Sequence, residues 1–212
     1  FGIFRRSALL EVGGLRSNTV GEDLELTIRL HRHYRDLGLP YRLEFLIDPV
    51  CWTQVPEEAR ILRGQRDRWH RGLWETLWRH RGMLFRPRYG RIGSSALPYI
   101  WFVEGISPVL EVLGYLLIIY LAVTNSLDLP FVAAFLALTV FYGMLVGLAS
   151  AALDQTLRHS PKGVGNRFRL LVAVLTENFG YRQWLAVVRV IAMFRIRSSR
   201  GKWGAMTRRR FS

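Results

Sequence analysis

Cysteine and lysine are nearly missing from this chain of 212 residues. Cys51 is the only cysteine, which excludes an intrachain disulfide framework. Lysine occurs twice, at Lys162 and Lys202, so arginine supplies the other 28 of the 30 basic residues. Acids are sparse at 16, and the formal net charge is +14. Lys and Arg are absent from Ile92 to Leu157, and no charge of either sign falls between Leu129 and Leu153. Half of the residues are hydrophobic, and that excludes disorder as the main state. Phe1 to Gly14 lacks the apolar core and small-residue cleavage site of a signal peptide. Because the chain opens on Phe1 rather than Met, it is expected to be the C-terminal part of a longer protein.

What is present is sorted along the chain. Ten Arg and two acids, Asp67 and Glu75, lie between Arg60 and Arg91. Basic residues return at Arg158 and close the chain as Arg208-Arg209-Arg210. In between, Leu129 to Leu153 is a 25-residue uncharged run. As a helix it would reach roughly 37 Å, more than the ~30 Å hydrocarbon layer of a bilayer, and it is read as transmembrane. Gly143-x-x-x-Gly147 within it is either a close helix contact or ordinary glycine use. Leu97 to Val123 is long enough to span but carries Glu104, Pro108 and Glu111. Its first half, through Pro108, is expected at the interface, with Val109 to Val123 crossing. Glu104, Ser107, Pro108 and Glu111 share one helix face. The two Glu either face a polar path, pair with Arg of the polar N-terminal part, or sit at headgroup level. The short link 124–129 has no basic residue, and both outer flanks are rich in Arg, so the flanks are expected in the cytoplasm. Phe168 to Phe194 is broken by polar residues and reads as two helices, about 168–179 and 181–195, around Gly180. They are expected on the cytoplasmic membrane face or beneath the polar part, and a third crossing stays open.

The N-terminal third is polar and mixed. Glu22 to Leu37 reads as a helix with Leu24, Ile28, Leu30, Tyr34 and Leu37 on a rough apolar face, stopped by Gly38. Glu22 and Asp23 stand at its loop-to-helix junction, where their charge suits the positive helix end. Leu43 to Ile47 and Val50 to Val55 read as short strands around Asp48-Pro49. Pro56-Glu57-Glu58 is expected to open a second helix running to about His80. On it, Gln65, Arg68 and Trp69 stand at i, i+3 and i+4. That face could hold a diphosphate through the planar Arg fork and stack on a sugar ring. Alternatively the helix lies on anionic lipid with Trp69, Trp74 and Trp78 at the interface.

Two local patterns belong together. Gly21-Glu22-Asp23 resembles the acidic motif of processive family 2 glycosyltransferases, and Gln65-Arg66-Asp67-Arg68-Trp69 fits their Q-x-x-R-W motif at every defined position. The gap of about 40 residues, the preceding Phe4-Arg5-Arg6 and Val12-Gly13-Gly14-Leu15, and the following apolar runs are similar to that family as well, which includes cellulose, chitin, hyaluronan and poly-N-acetylglucosamine synthases. The resemblance implies an α/β fold: part of a GT-A-type domain over residues 1–91, two transmembrane helices within 92–153 (about 97–123 and 129–153), and a basic region over 154–212 with interfacial or membrane helices. It implies Asp23 as general base on the acceptor hydroxyl, Glu22 as a helper, Gln65 and Arg68 on the donor diphosphate, and Trp69 stacked on the acceptor sugar, with inversion at the anomeric carbon. The expected partners are a nucleotide-sugar (a UDP-sugar above all), a carbohydrate or lipid-linked acceptor, and membrane lipid. Mg2+ or Mn2+ is expected in the whole enzyme, with ligands outside this chain, because no Asp-x-Asp occurs here. The donor half would lie before Phe1, and the fragment is expected to be inactive alone.

Three functions fit these features. A membrane synthase would extend a polysaccharide, a related transferase would add one sugar to a lipid, and a basic membrane module would do no chemistry. The Arg-rich stretch also fits nucleic acid, but no nucleic-acid motif accompanies it and anionic headgroups explain it more simply. The reading adopted is the polysaccharide-extending transferase, an integral protein of the cytoplasmic membrane with its catalytic part in the cytoplasm.

Overall fold

The computed structural model describes residues 2–44, 55–158 and 164–196. They divide into two units, one of residues 2–44, 55–108 and 188–196, the other of residues 109–158 and 164–187. Among the described residues every regular element is helical. The expected strands 43–47 and 50–55 lie outside the described residues except for Leu43, Glu44 and Val55, which sit in no regular element. The strands that the expected α/β class requires are not seen among the described residues.

In the first unit, α1 (Arg6–Glu11) leads through a turn at Gly13 and Gly14 to α2 (Glu22–Leu37). Helix α2 ends where the sequence says it should. Gly38 takes φ 68°, and the N–H groups of Gly38 and Leu39 bond back to carbonyls of the last turn. A left-handed residue there favours glycine, which has no Cβ to clash. The buried face of α2 differs from the expected one. Glu25, Leu26, Ile28 and Leu30 are buried, whereas Leu37 is 57 % exposed. Only the first half of the helix is covered by its neighbours, so the apolar pattern of its last turn has nothing to pack on.

Helix α3 (Ala59–Arg79) begins later than expected. Glu58 holds extended backbone (φ −101°, ψ 134°), which leaves Pro56 outside the helix. Its C-terminal half is enclosed. Trp74 is 8 % exposed and meets Trp101 edge-on at 5.5 Å between ring centroids. Of the three tryptophans proposed for a lipid interface, Trp74 is thus a core residue, because it is needed to cover Gly105 and Trp101. Ile28, Leu77, Met83, Tyr89 and Leu97 form the centre of this core.

The following run is helical from Ile92 to Val123 and is long and apolar enough to cross a membrane. Pro98 and Pro108 lack the N–H that would bond the carbonyls of Ser94 and Glu104. The backbone widens into π turns at Ile92–Ala96 and Ile100–Ile106, on either side of α4 (Leu97–Tyr99), before α5 (Ser107–Val123). Serine hydroxyls occupy nearby carbonyls: Ser94 donates to Gly90 and Ser95 to Arg91, each at 2.9 Å, and Ser107 donates to Val103.

In the second unit, α6 (Leu129–Arg158) contains the uncharged run, also long and apolar enough to span. Helix α7 (Val164–Thr176) packs against it at the glycine pair. A Cβ on Gly147 would meet Val174 at 2.7 Å, and Gly143 lies under Asn178 and Arg182. The Gly-x-x-x-Gly spacing is therefore a close-contact seam, with small residues admitting bulky polar ones. Gly180 (φ 89°) separates α7 from α8 (Tyr181–Phe194). Glu111 pairs with Arg182 at 3.3 Å and accepts the Tyr115 hydroxyl at 3.0 Å. Its partner is thus an Arg of α8, not of the N-terminal part, while Glu104 is exposed.

The tightest seam of the first unit is glycine on glycine. A Cβ on Gly72 of α3 would come within 2.7 Å of the Gly21 nitrogen and 2.8 Å of its Cα. Backbone cannot yield as a side-chain tip can. Gly72→Ala is expected to destabilise the fold by about 1–3 kcal/mol, read as a lowered Tm of the detergent-purified protein. An unchanged Tm would show that this seam does not exist.

Candidate functional site

Helix α3 carries one continuous stripe at the 3.6-residue period: Gln65, Arg68, Trp69, Gly72, Glu75, Thr76 and Arg79. The C-terminal part of this stripe holds the entry to α2. Gly72 abuts Gly21. One Glu75 oxygen accepts the Thr19 hydroxyl at 2.9 Å and the Val20 N–H at 3.2 Å. Arg79 donates to the Asn18 side chain at 3.3 Å. Four residues beyond Gly21, the fully buried Glu25 meets His80 at 3.2 Å, Arg29 at 3.1 Å, Arg16 at 3.5 Å and Arg79 at 4.0 Å. So α2 runs from Gly72 towards His80.

The N-terminal part of the stripe consequently projects past the start of α2. Arg68 and Trp69 lie one turn before Gly72, roughly 5–6 Å along the axis, and Gln65 one turn further out. Gln65 and Arg68 are half-buried, and Trp69 is 56 % exposed with the Arg66 guanidinium 4.8 Å from its ring centre. Glu22 and Asp23 occupy the first turn of α2 at the other side of the glycine seam. Glu22 is half-buried and Asp23 exposed. Gly21, not an acidic side chain, is the N-cap, and it offers no capping bond. Asp23 does accept the Leu24 N–H at 2.8 Å, which satisfies one amide of the first turn. The two sequence patterns, 42 positions apart from Asp23 to Gln65, thus converge on one seam, with Arg68 and Trp69 nearer to it than Gln65. The chemistry available is an exposed carboxylate at a positive helix end and, across the glycine seam, a stripe with an Arg, a Gln and an indole face.

Asp67, a variable position of the second motif, is held by Arg71 at 2.9 Å and Arg195 at 3.8 Å, both within the first unit. That use is structural. Among the described residues no group of three or more His, Cys, Asp or Glu side chains could hold a metal ion. These residues do not by themselves form a site for Mg2+ or Mn2+.

Two supporting residues were not legible in the sequence. Glu25 and Glu75 look like surface acids on amphipathic helices. Only the i, i+4 spacing of Glu25 and Arg29 hinted at a pairing. Burial alone would raise the Glu25 carboxyl, but the His80 hydrogen bond and the Arg29 and Arg16 charges more than offset it, so it stays below the usual carboxylate range.

This chain belongs to the glycosyl transferase family group 2, whose pattern matches residues 2–146. Among its curated relatives is a probable glycosyltransferase, YdaM, of Bacillus subtilis strain 168. It is 32 % identical over 88 residues, covering 42 % of this chain and 20 % of that protein. Poly-beta-1,6-N-acetyl-D-glucosamine synthases of Staphylococcus aureus, in strains COL and MSSA476 for example, are 30 % identical over 122 residues, covering 57 % of this chain and 26 % of theirs. The chain thus spans about a fifth to a quarter of the length of these relatives. No solved structure matches it.

His70 of α3 gives the fold a pH dependence. Its ring is buried, accepts the Trp74 indole N–H at 3.1 Å, and is held neutral with its pKa lowered to about 4 by burial and then by the Arg189 charge. An unfolded His titrates near 6.5, so the unfolded chain binds the proton first as pH falls. Stability is therefore full above about pH 6.5 and is lost between there and pH 4, by at most about 3 kcal/mol. Below that window, protonation of Glu25 removes more. Tm measured from pH 7.5 to 4.5 is expected to fall, and His70→Gln, which keeps an acceptor for Trp74 without the titration, is expected to flatten the curve. Equal slopes in both proteins would refute the assignment.

Proposed function

We propose that the complete enzyme transfers a sugar from a nucleotide-sugar, a UDP-sugar above all, to a growing polysaccharide at the cytoplasmic membrane, and that this chain supplies the acceptor side of the site. The observation that carries the proposal is the glycine seam, which holds the exposed Asp23 at the start of α2 on one side and the Arg68, Trp69 and Gln65 part of α3 on the other. Family membership and the printed names of the staphylococcal relatives favour a polymer as product over a single addition to lipid.

In this reading Asp23 accepts the proton of the acceptor hydroxyl as that oxygen attacks the anomeric carbon. The C–O bond to the diphosphate breaks on the opposite face, and the configuration inverts. A carboxylate in hydrogen-bond reach of the hydroxyl is the requirement. Asp23 stands exposed in the first turn of α2, open to an incoming hydroxyl. Glu22 helps to orient the site. Arg68 and Gln65 offer donors to the leaving diphosphate, the Arg through its planar fork. Trp69 offers a flat apolar face to the acceptor sugar. The rest of a GT-A-type fold and the donor pocket are assigned to sequence outside this chain. In the same reading the two apolar helical runs anchor the enzyme, with the Arg-rich flanks and the catalytic part on the cytoplasmic side.

In membranes expressing the full reading frame, Asp23→Asn is expected to lower turnover by about 10²–10⁴-fold, the range for loss of a general base, with the donor KM little changed. Nucleoside diphosphate release on a panel of UDP-sugars measures both. Wild-type turnover in Asp23→Asn would remove the base assignment, and a non-catalytic membrane module would then be the better account.

A further inference from the structure

We infer that Glu75 and Thr19 form a positioning clasp for the sugar-transfer step, an inference that rests on the reading of Asp23 as the base. Glu75 lies on α3 one turn after Gly72, and Thr19 two residues before Gly21. Thr19 is 1 % exposed. A single Glu75 oxygen takes both the Thr19 hydroxyl (2.9 Å) and the Val20 N–H (3.2 Å), and the Thr19 oxygen in turn accepts the Gly21 N–H (3.3 Å). The relay therefore fixes three consecutive residues, 19 to 21, in the segment that delivers Glu22 and Asp23. Val20 and Gly21 precede the helix, so their amides have no intrahelical carbonyl to bond. Without the clasp they would be left unsatisfied against the Gly72 backbone.

The clasp also explains why an acid occupies α3 at a point facing a backbone turn. The second Glu75 oxygen is buried and makes no hydrogen bond. Thus the carboxylate works as a one-oxygen acceptor, and its other oxygen can be replaced without loss of a contact. Neither Glu75 nor Thr19 reaches a reacting atom. Each acts through the position of Asp23, and a shift of about 1 Å at a reacting group can cost 10²-fold in rate.

The test measures kcat and donor KM separately in membranes expressing the full reading frame, for Glu75→Ala, Glu75→Gln and Thr19→Val, with Asp23→Asn alongside. Glu75→Ala is expected to lower kcat by about 10²-fold with donor KM within about threefold, because Gln65 and Arg68 lie on the other side of Gly72. Glu75→Gln keeps a single acceptor oxygen and is expected to retain turnover within about threefold. Thr19→Val removes only the hydroxyl and is expected to fall between the two. If Glu75→Ala does not accumulate in the membrane, the Gln and Val variants decide. Wild-type kcat in Thr19→Val, or a loss in Glu75→Gln as deep as in Asp23→Asn, overturns the clasp. Full activity in Asp23→Asn overturns the function reading instead, so the two failures are distinct.

Discussion

The seam between the start of α2 and the middle of α3 governs the first unit. Two glycine backbones meet there: a Cβ on Gly72 would come within 2.7 Å of backbone, and one on Gly21 within 3.0 Å. Everything proposed about the site depends on that approach. It sets where the first turn of α2 ends relative to the stripe on α3, and it leaves the earlier part of that stripe projecting past α2. Trp69 is exposed, and Gln65 and Arg68 half-buried, for the same reason that Gly72, Thr76 and His80 are buried: α2 covers one end of the stripe and not the other.

Two acids hold the seam from both sides. Glu75 of α3 ties the incoming loop at Thr19 and Val20, and Glu25 of α2 ties the helix proper to Arg79 and His80 at the end of α3. A buried carboxylate is costly unless it is paired and hydrogen-bonded. Glu25 answers that cost with three Arg and a His, which ties burial in α2 to the α3 C-terminus. This uses part of the Arg excess of the sequence. Arg79, Arg71 and Arg88 are engaged with acids, and Arg66 and Arg81 lie over Trp69 and Trp78. The Arg-rich stretch is therefore partly internal structure and not solely a surface for lipid headgroups.

Local signals in the sequence were sufficient for some elements. Helix α2 was legible from its periodicity and from Gly38, and the break at Gly180 from a glycine amid polar residues. The shared face of Gln65, Arg68 and Trp69 follows from spacing alone once α3 is a helix. What was not legible depends on distant parts of the chain. Nothing local says that Glu25 is buried while Leu37 is exposed, since that is decided by where α3 ends. Glu75 reads as an ordinary helix acid until Thr19 is placed against it. For Glu111 the sequence left a polar path, an Arg of the N-terminal part and the headgroup level all open, and its partner is Arg182, 71 residues further on. Pro56 suggested a helix start, but the extended backbone at Glu58 defers it.

The central claim is that the acidic motif and the α3 stripe are one unit through the Thr19–Glu75 side of the seam. The most direct test replaces Cys51 with Ser, introduces Thr19→Cys and Glu75→Cys together, and joins them with a short bis-methanethiosulfonate, which releases methanesulfinate at each thiol, in membranes expressing the full reading frame. The account predicts rapid cross-linking and a turnover that rises when the link forms, because a covalent tie substitutes for the lost clasp. Failure of the two thiols to join, or a joined enzyme no more active than the unjoined one, would contradict it.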